Sequence, residues 1–402
     1  MTLRALRFGL LLAAACLIIV QGRPAVAEDV LRVGAPLPLT GPLSPEGTKQ
    51  QQGYDLWAET ANAAGGVKVG AARLKVEMVY ADYQSNTPRA VQTAERMIVE
   101  DKVSFLFAPV GSGAAKATSS VSEKYEVPML APTASSEQVF DQGYKYIFGV
   151  LTPNSSLTEP MAELVRAALP AAKKVAILAR NDLFPLALAA ELEKSAKPRG
   201  FEIAYSEKYA IGTLDHASTL TQIRGVRPDW IFVTGYVNDL ILVRKQMADL
   251  RLGAPVVTML AGPAYQEFID ATGPGAEHIS SGAWWHPAER YQGADLFGST
   301  DSYVTRFKAR YGGALPDYVQ ASASACGAVL QLAIEKAGTA DRKAVRDVLA
   351  QLDVKTFFGP VRFGENGQIV SYKPPLFQIQ GGKPVVIYPS EIAQGQLEIG
   401  VK

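Results

Sequence analysis

The chain has 402 residues, 48% of them hydrophobic, with 40 Lys and Arg against 39 Asp and Glu, a net charge of +1. That balance excludes an electrostatic case for binding nucleic acid or an anionic membrane surface. With only Cys16 and Cys326 available, stability must come from core burial, which a chain of this length can supply as two domains.

The first 27 residues read as an export signal. Arg4 and Arg7 open it, Phe8 to Val20 form an apolar run, and Ala25-Val26-Ala27 is a small-x-small cleavage site. The run is shorter than the ~20 residues a membrane span needs. Ala13-Ala14-Ala15-Cys16 resembles a lipoprotein box, but Leu17-Ile18-Ile19-Val20 continue the apolar segment beyond the cysteine. Cleavage after Ala27 leaves 402 − 27 = 375 residues and removes Arg4, Arg7 and Arg23 but no acid, so the charge becomes 37 − 39 = −2. Cys326 then stands alone, and no intramolecular disulfide can form. No later apolar stretch approaches ~18 residues, so a soluble, periplasmic mature protein is expected.

Beyond the signal, strands and helices alternate. Leu31 to Leu37 reads as a buried strand, followed by a Pro/Gly-rich loop over Pro38 to Gly47 and a helix to about Asn62, stopped by Gly65-Gly66. Leu74 to Tyr80 is the next strand. Thr87 before Pro88 is the expected N-cap of a helix whose inner face carries Ala90, Val91, Ala94, Met97 and Ile98. A strand over Val103 to Ala108, a helix from Ser112 and a short strand at Val127 to Leu130 complete the first run.

The alternation restarts after the polar segment Thr152 to Ser156. Strands are expected at Lys174–Ala179, Phe201–Tyr205, Trp230–Thr234 and Pro255–Met259, with helices around Leu183–Pro198, Leu214–Ile223 and Asn238–Leu250. Such units predict parallel sheets covered by helices on both faces, here as two α/β lobes. Three consecutive helices follow, at Ser299–Arg310, Val319–Lys336 and Arg342–Leu352, and Val361 to Gly367 reads as a strand entering a turn.

Catalytic patterns fail on inspection. His216, His278 and His286 are scattered, without a helical partner ligand, so no metal site is expected. Val110-Gly111-Ser112-Gly113-Ala114 lacks the outer glycines of a nucleophile elbow, and Gly111 to Lys116 matches neither a dinucleotide fingerprint nor a P-loop. No cofactor and no enzymatic activity are expected. What the segment does offer is a buried strand, Phe105 to Ala108, running through small residues into a helix start. There, free amides and the helix dipole favour an anion by ~0.3–1 kcal/mol. The next strand ends at Ala131-Pro132-Thr133-Ala134-Ser135-Ser136, and adjacent strand ends form the expected ligand crevice. Taken alone, Ser112 and Ser135 are equally well explained as helix caps.

The order of these segments resembles the type I periplasmic binding proteins of the leucine/isoleucine/valine-binding kind, which serve ABC importers. The resemblance is carried by Gly34–Pro42, Asn62–Gly66, Tyr80-Ala81-Asp82, Pro128–Ser135, Gly235-Tyr236 and Phe358–Phe363, over nearly the whole mature chain. It implies two Rossmann-like lobes joined by a three-stranded hinge, with residues 28–150 and 283–355 in one lobe and 151–282 and 356–402 in the other. It further implies a ligand carboxylate held by Ser112, Thr133 and Ser135, with Val110 and Ala134 lining the pocket. Phe184, Tyr236 and Tyr318 would be aromatic walls, though ordinary core packing explains them as well. Glu46 occupies a loop position where an aromatic often sits.

Amino-acid binders of this family hold the ligand ammonium with an acid after the strand at Pro255–Met259. Here that segment reads Leu260-Ala261-Gly262-Pro263-Ala264-Tyr265, with no acid until Glu267, and Gly262 is the residue of it expected to line the pocket. An ammonium buried without its counter-ion costs on the order of 3–5 kcal/mol, a hundredfold or more in affinity. Either Glu46 or Asp239 reaches the ammonium, or the ligand lacks one. Trp284-Trp285-His286-Pro287 favours the second, because ring walls suit an aromatic acid. A benzoate- or phenylpropenoate-like acid is therefore the first expected ligand and an aliphatic amino acid the second. The expected partners are that ligand and the membrane permease of an importer driven by cytoplasmic ATPases, with the binding protein a monomer. A ligand-sensing receptor with the same fold is the alternative.

Overall fold

The computed structural model describes residues 30–400, and the expected export signal lies outside them. The first sheet contains β1 (Val30–Leu37), β2 (Val67–Val69), β3 (Ala72–Asp82), β4 (Phe105–Phe107), β5 (Met129–Ala131) and β6 (Ile147–Gly149), in the spatial order β2-β3-β1-β4-β5-β6. All neighbours are parallel except β2 against β3. Helices α1 (Ser44–Ala63), α2 (Thr87–Val99) and α3 (Ser112–Lys124) connect these strands.

The second run begins with α4 (Ser155–Ala168) and continues through β7 (Lys174–Arg180), α5 (Leu183–Ala196), β8 (Glu202–Tyr209) and α6 (Ala217–Val226). It goes on with β9 (Trp230–Thr234), α7 (Val237–Asp249), β10 (Val256–Leu260), α8 (Gln266–Thr272) and β11 (Ile279–Gly282). Helices α9 (Thr300–Arg310), α10 (Tyr318–Ala337) and α11 (Arg342–Ala350) follow, then the hairpin of β12 (Asp353–Thr356) and β13 (Gly359–Arg362). Last come β14 (Leu376–Gln380) and β15 (Lys383–Tyr388). The second sheet has the order β15-β14-β11-β10-β9-β7-β8.

Two lobes follow from this topology, and three corrections to the sequence reading with them. The sheets are mixed, because β14 joins β11, and β15 joins β14, antiparallel. The N-cap of α2 is Asn86, whose Oδ1 accepts from the Arg89 amide at 3.0 Å, so Thr87 is already helical. Helix α1 starts inside the expected loop, at Ser44, with Pro45 in the first turn, where its fixed φ suits a helix and its missing N–H costs nothing. Glu46 is therefore a first-turn helical residue.

Helix α10 returns the chain to the first lobe by packing on α1. The approach is close enough that a Cβ on Gly327 would overlap the Trp57 ring, and Trp57 Nε1 donates to Gln331 Oε1 at 3.2 Å. Ser324 Oγ donates to the Gly53 carbonyl at 2.7 Å. The chain thus crosses between lobes after β6, after β11 and after β13, and the crossings are bonded to one another. Trp284 Nε1 donates to Thr152 O at 2.9 Å, Gly149 N to Gly367 O at 2.9 Å and Tyr372 Oη to Val150 O at 3.2 Å. Among the described residues, no helix is long and apolar enough to cross a membrane.

Candidate functional site

Both sheets end their parallel strands toward the gap between the lobes, so the residues just past β4, β5, β9 and β10 meet there. They enclose a cavity whose free space is about 10 Å³, room for roughly one water. From the first lobe, Glu46, Val110, Gly111, Thr133, Ser135 and Tyr318 line it. Phe184, Tyr236, Tyr265 and Trp284 close it from the other side. Of the ten residues named from sequence, seven are brought together here: Glu46, Val110, Thr133, Ser135, Phe184, Tyr236 and Tyr318.

The other three are elsewhere. Ala134 is buried in the core between α2, α3 and the first sheet. Gly262 packs against Leu240, whose Cδ1 lies 2.6 Å from where a Cβ would sit. Ser112 is wholly buried, and its Oγ accepts the amides of Ser135 at 3.3 Å and Ser136 at 3.2 Å. It ties the β4–α3 turn to the segment after β5. Nor is it a cap: Gly111, at φ +84°, is the N-cap of α3, a conformation that a side chain would strain. Ser135 Oγ likewise donates inward, to Asn154 Oδ1 at 2.7 Å.

Thr133 is better placed to meet a ligand oxygen. Its Oγ1 accepts from Gln50 Nε2 at 2.8 Å and from the Gly111 amide at 3.2 Å. Both bonds use the hydroxyl as acceptor, which leaves its proton for a ligand. A chain of rings from both lobes lines the rest of the cavity. Tyr236, Phe184, Trp284, Tyr318 and Tyr265 follow one another with centroid separations of 5.8, 6.0, 5.3 and 5.8 Å. Tyr265 and Tyr318 also share a hydroxyl–hydroxyl hydrogen bond of 2.9 Å across the lobes. Tyr265 was missed from sequence, although it follows β10 as Tyr236 follows β9, and strand position alone could have found it.

Glu46 is the only lining residue with a carboxyl group. It is 2% exposed, its Oε1 meets the Val237 amide of the second lobe at 3.5 Å, and its Oε2 has no hydrogen-bond partner among the described residues. Burial pushes its pKa up to about 7. Asp239 does not reach the cavity. Its Oδ2 accepts from Arg180 Nη1 at 2.7 Å and from the Tyr236 amide at 3.1 Å.

Beside the cavity, past Tyr318, lies a larger groove of about 760 Å³ whose lining includes Lys49, Glu267, Trp285, His286 and Asp317. Lys49 Nζ spans it, bonded to Asp317 of its own lobe at 2.6 Å and to Glu267 of the other at 2.9 Å. Trp285, read from sequence beside Trp284 as a wall, instead packs edge-on to Tyr303 and parallel to Phe358. Among the described residues no cluster of three His, Cys, Asp or Glu could hold a metal ion.

Two α/β lobes with a lined cavity between them are the architecture of a binding protein. A family model described as periplasmic binding protein matches residues 30–383, and the chain belongs to that family. A Leu/Ile/Val-binding protein homolog 7 of Brucella abortus is 24% identical over 396 residues, 94% of this chain and 96% of that one. The branched-chain amino acid transporter substrate-binding protein LivJ of Streptococcus pneumoniae, solved with isoleucine, superposes with a TM-score of 0.78 at 23% identity. That match covers 90% of this chain and all of the other. An R. palustris ABC-transporter solute-binding protein, solved with benzoate, gives 0.77 at 19% identity, covering 93% and 98%.

Proposed function

We propose that this chain is the periplasmic solute-binding component of an ABC importer and that it closes its two lobes on a small carboxylate ligand, without chemical turnover. The carrying observation is the cavity itself, where Thr133 of the first lobe faces the rings of Phe184 and Tyr236 from the second. The ligand's carboxylate sits against Thr133 and the start of α3, and its apolar body lies between the rings. Hinge closure about the three crossings buries it. The closed monomer is then presented to the permease, whose cytoplasmic ATPases drive uptake. The crossings after β6, β11 and β13 form the hinge, the third lying past the boundary at residue 355 expected from the sequence, and export follows cleavage after Ala27.

Support comes from relatives whose names carry Leu/Ile/Val binding and from neighbours solved with isoleucine and with benzoate. Thermal-shift screening of leucine, phenylalanine, benzoate and cinnamate tests the reading. A ligand at a hundred times its Kd stabilises by about 2.7 kcal/mol, a shift of several degrees. Thr133→Val should abolish the shift and Thr133→Ser keep it. No shift with any small carboxylate, or loss of a transcriptional response in place of uptake when the gene is deleted, would contradict it.

A further inference from the structure

The cavity is lined by a buried carboxyl group with an unpartnered oxygen. Glu46 lines the cavity, and its buried Oε2 has no hydrogen-bond partner among the described residues. The nearest basic groups are committed: Lys49 to Asp317 and Glu267, Arg180 to Asp239. Tyr236, Tyr265, Tyr318, Trp284 and Phe184 line the same cavity. Ring faces attract cations, most strongly where water is excluded. A buried carboxyl among aromatic faces is complementary to one kind of group, a positively charged nitrogen.

We propose that Glu46 of the first lobe, completed by the surrounding rings, is the seat for an ammonium group of the ligand. The seat lies on α1, not in the segment after β10, where Gly262 packs on Leu240 and Asp239 is held by Arg180. Both polar anchors, Glu46 and Thr133, then belong to the same lobe. A zwitterion with an apolar side chain can dock on that lobe by both its charges, and the second lobe closes over it with rings. This places an amino acid ahead of a plain aromatic acid and reverses the order the tryptophan pair suggested. The inference rests on the cavity being the ligand site.

The test is calorimetric titration of the wild type and Glu46→Gln with two matched series. These are leucine, 4-methylpentanoate and 3-methylbutylamine, and phenylalanine, 3-phenylpropanoate and 2-phenylethylamine. The seat predicts that one amino acid binds the wild type at least 30-fold tighter than its desamino acid, and that Glu46→Gln removes most of that preference. Equal or tighter binding of the desamino acid overturns the ammonium seat and leaves carboxylate binding standing. A preference untouched by Glu46→Gln also overturns it. An amine that binds as well as its amino acid supports Glu46 and sinks the carboxylate assignment. If none of the six binds, both readings fall. Should Glu46→Gln not fold, the wild-type comparison alone decides.

Discussion

The hydroxyl of Tyr236, from the second lobe, occupies the space that a side chain on Gly111 of the first lobe would need. Tyr236 cannot easily yield, since its ring lies beside Phe184 and 4.9 Å from the Arg180 guanidinium. Gly111 also has a φ of +84°, a region where L side chains are strained. Gly111→Ala should therefore hold the lobes apart. Small-angle scattering should give a larger radius of gyration with ligand present, and affinity should fall tenfold or more. Gly111→Ala with Tyr236→Phe should recover part of the loss. A fully closed Gly111→Ala protein would refute the contact.

Ser112 is expected to matter for folding. Ser112→Ala leaves the amides of Ser135 and Ser136 without their acceptor, and a buried unsatisfied group costs about 1–3 kcal/mol. The unfolding temperature of the ligand-free protein should drop by several degrees. An unchanged temperature would show that the hydroxyl is not needed to pin the two turns together.

Glu46 sets a pH dependence of known sign. Its folded pKa is raised to about 7 from 4.5, so the folded state binds the proton more tightly than the unfolded chain. This contribution is fully present below pH 4.5 and is lost as pH rises through 7, by roughly 3 kcal/mol. Lys49, Asp239, Tyr83, Tyr236, Tyr265 and Tyr318 are the charged and titratable groups that couple to it. Ligand-free thermal stability should decline between pH 5 and 8 in the wild type, and Glu46→Gln should flatten that decline. Parallel curves would remove Glu46 as its source.

The Lys49–Glu267 bond crosses the cleft, while Lys49–Asp317 stays within one lobe. Glu267 is half exposed, so salt screens the pair. Glu267→Gln should speed ligand release a few-fold at low salt and much less at high salt. Stopped-flow release rates that do not change, or change equally at both salts, would deny the latch.

Much of this was legible in the sequence. Trp230–Thr234 was placed to the residue, because a buried parallel strand is a short apolar run between helical periods. β14 and β15 were missed. The pairing of β14 with β11 spans about a hundred residues and leaves no local signature, whereas β14 and β15 flank Gly381-Gly382, a two-residue hairpin turn that could have been read. Ser112 was correctly put at a helix start, yet a small hydroxyl beside glycine looks the same whether it meets a ligand or the chain itself. Glu46 reads as a loop residue because it lies in the Pro/Gly-rich stretch Pro38 to Gly47, whereas Pro45 opens a helix there and Glu46 lines the cleft.

The central claim is that the closed inter-lobe cavity is the ligand site, and a crystal structure with the tightest binder of the leucine and phenylalanine series tests it most directly. The account predicts ligand density between Phe184 and Trp284, with a carboxylate oxygen on Thr133 Oγ1 and the nitrogen on Glu46 Oε2. A ligand seated instead in the larger groove beside Trp285 and His286, with the Thr133 hydroxyl facing no ligand atom, would contradict it.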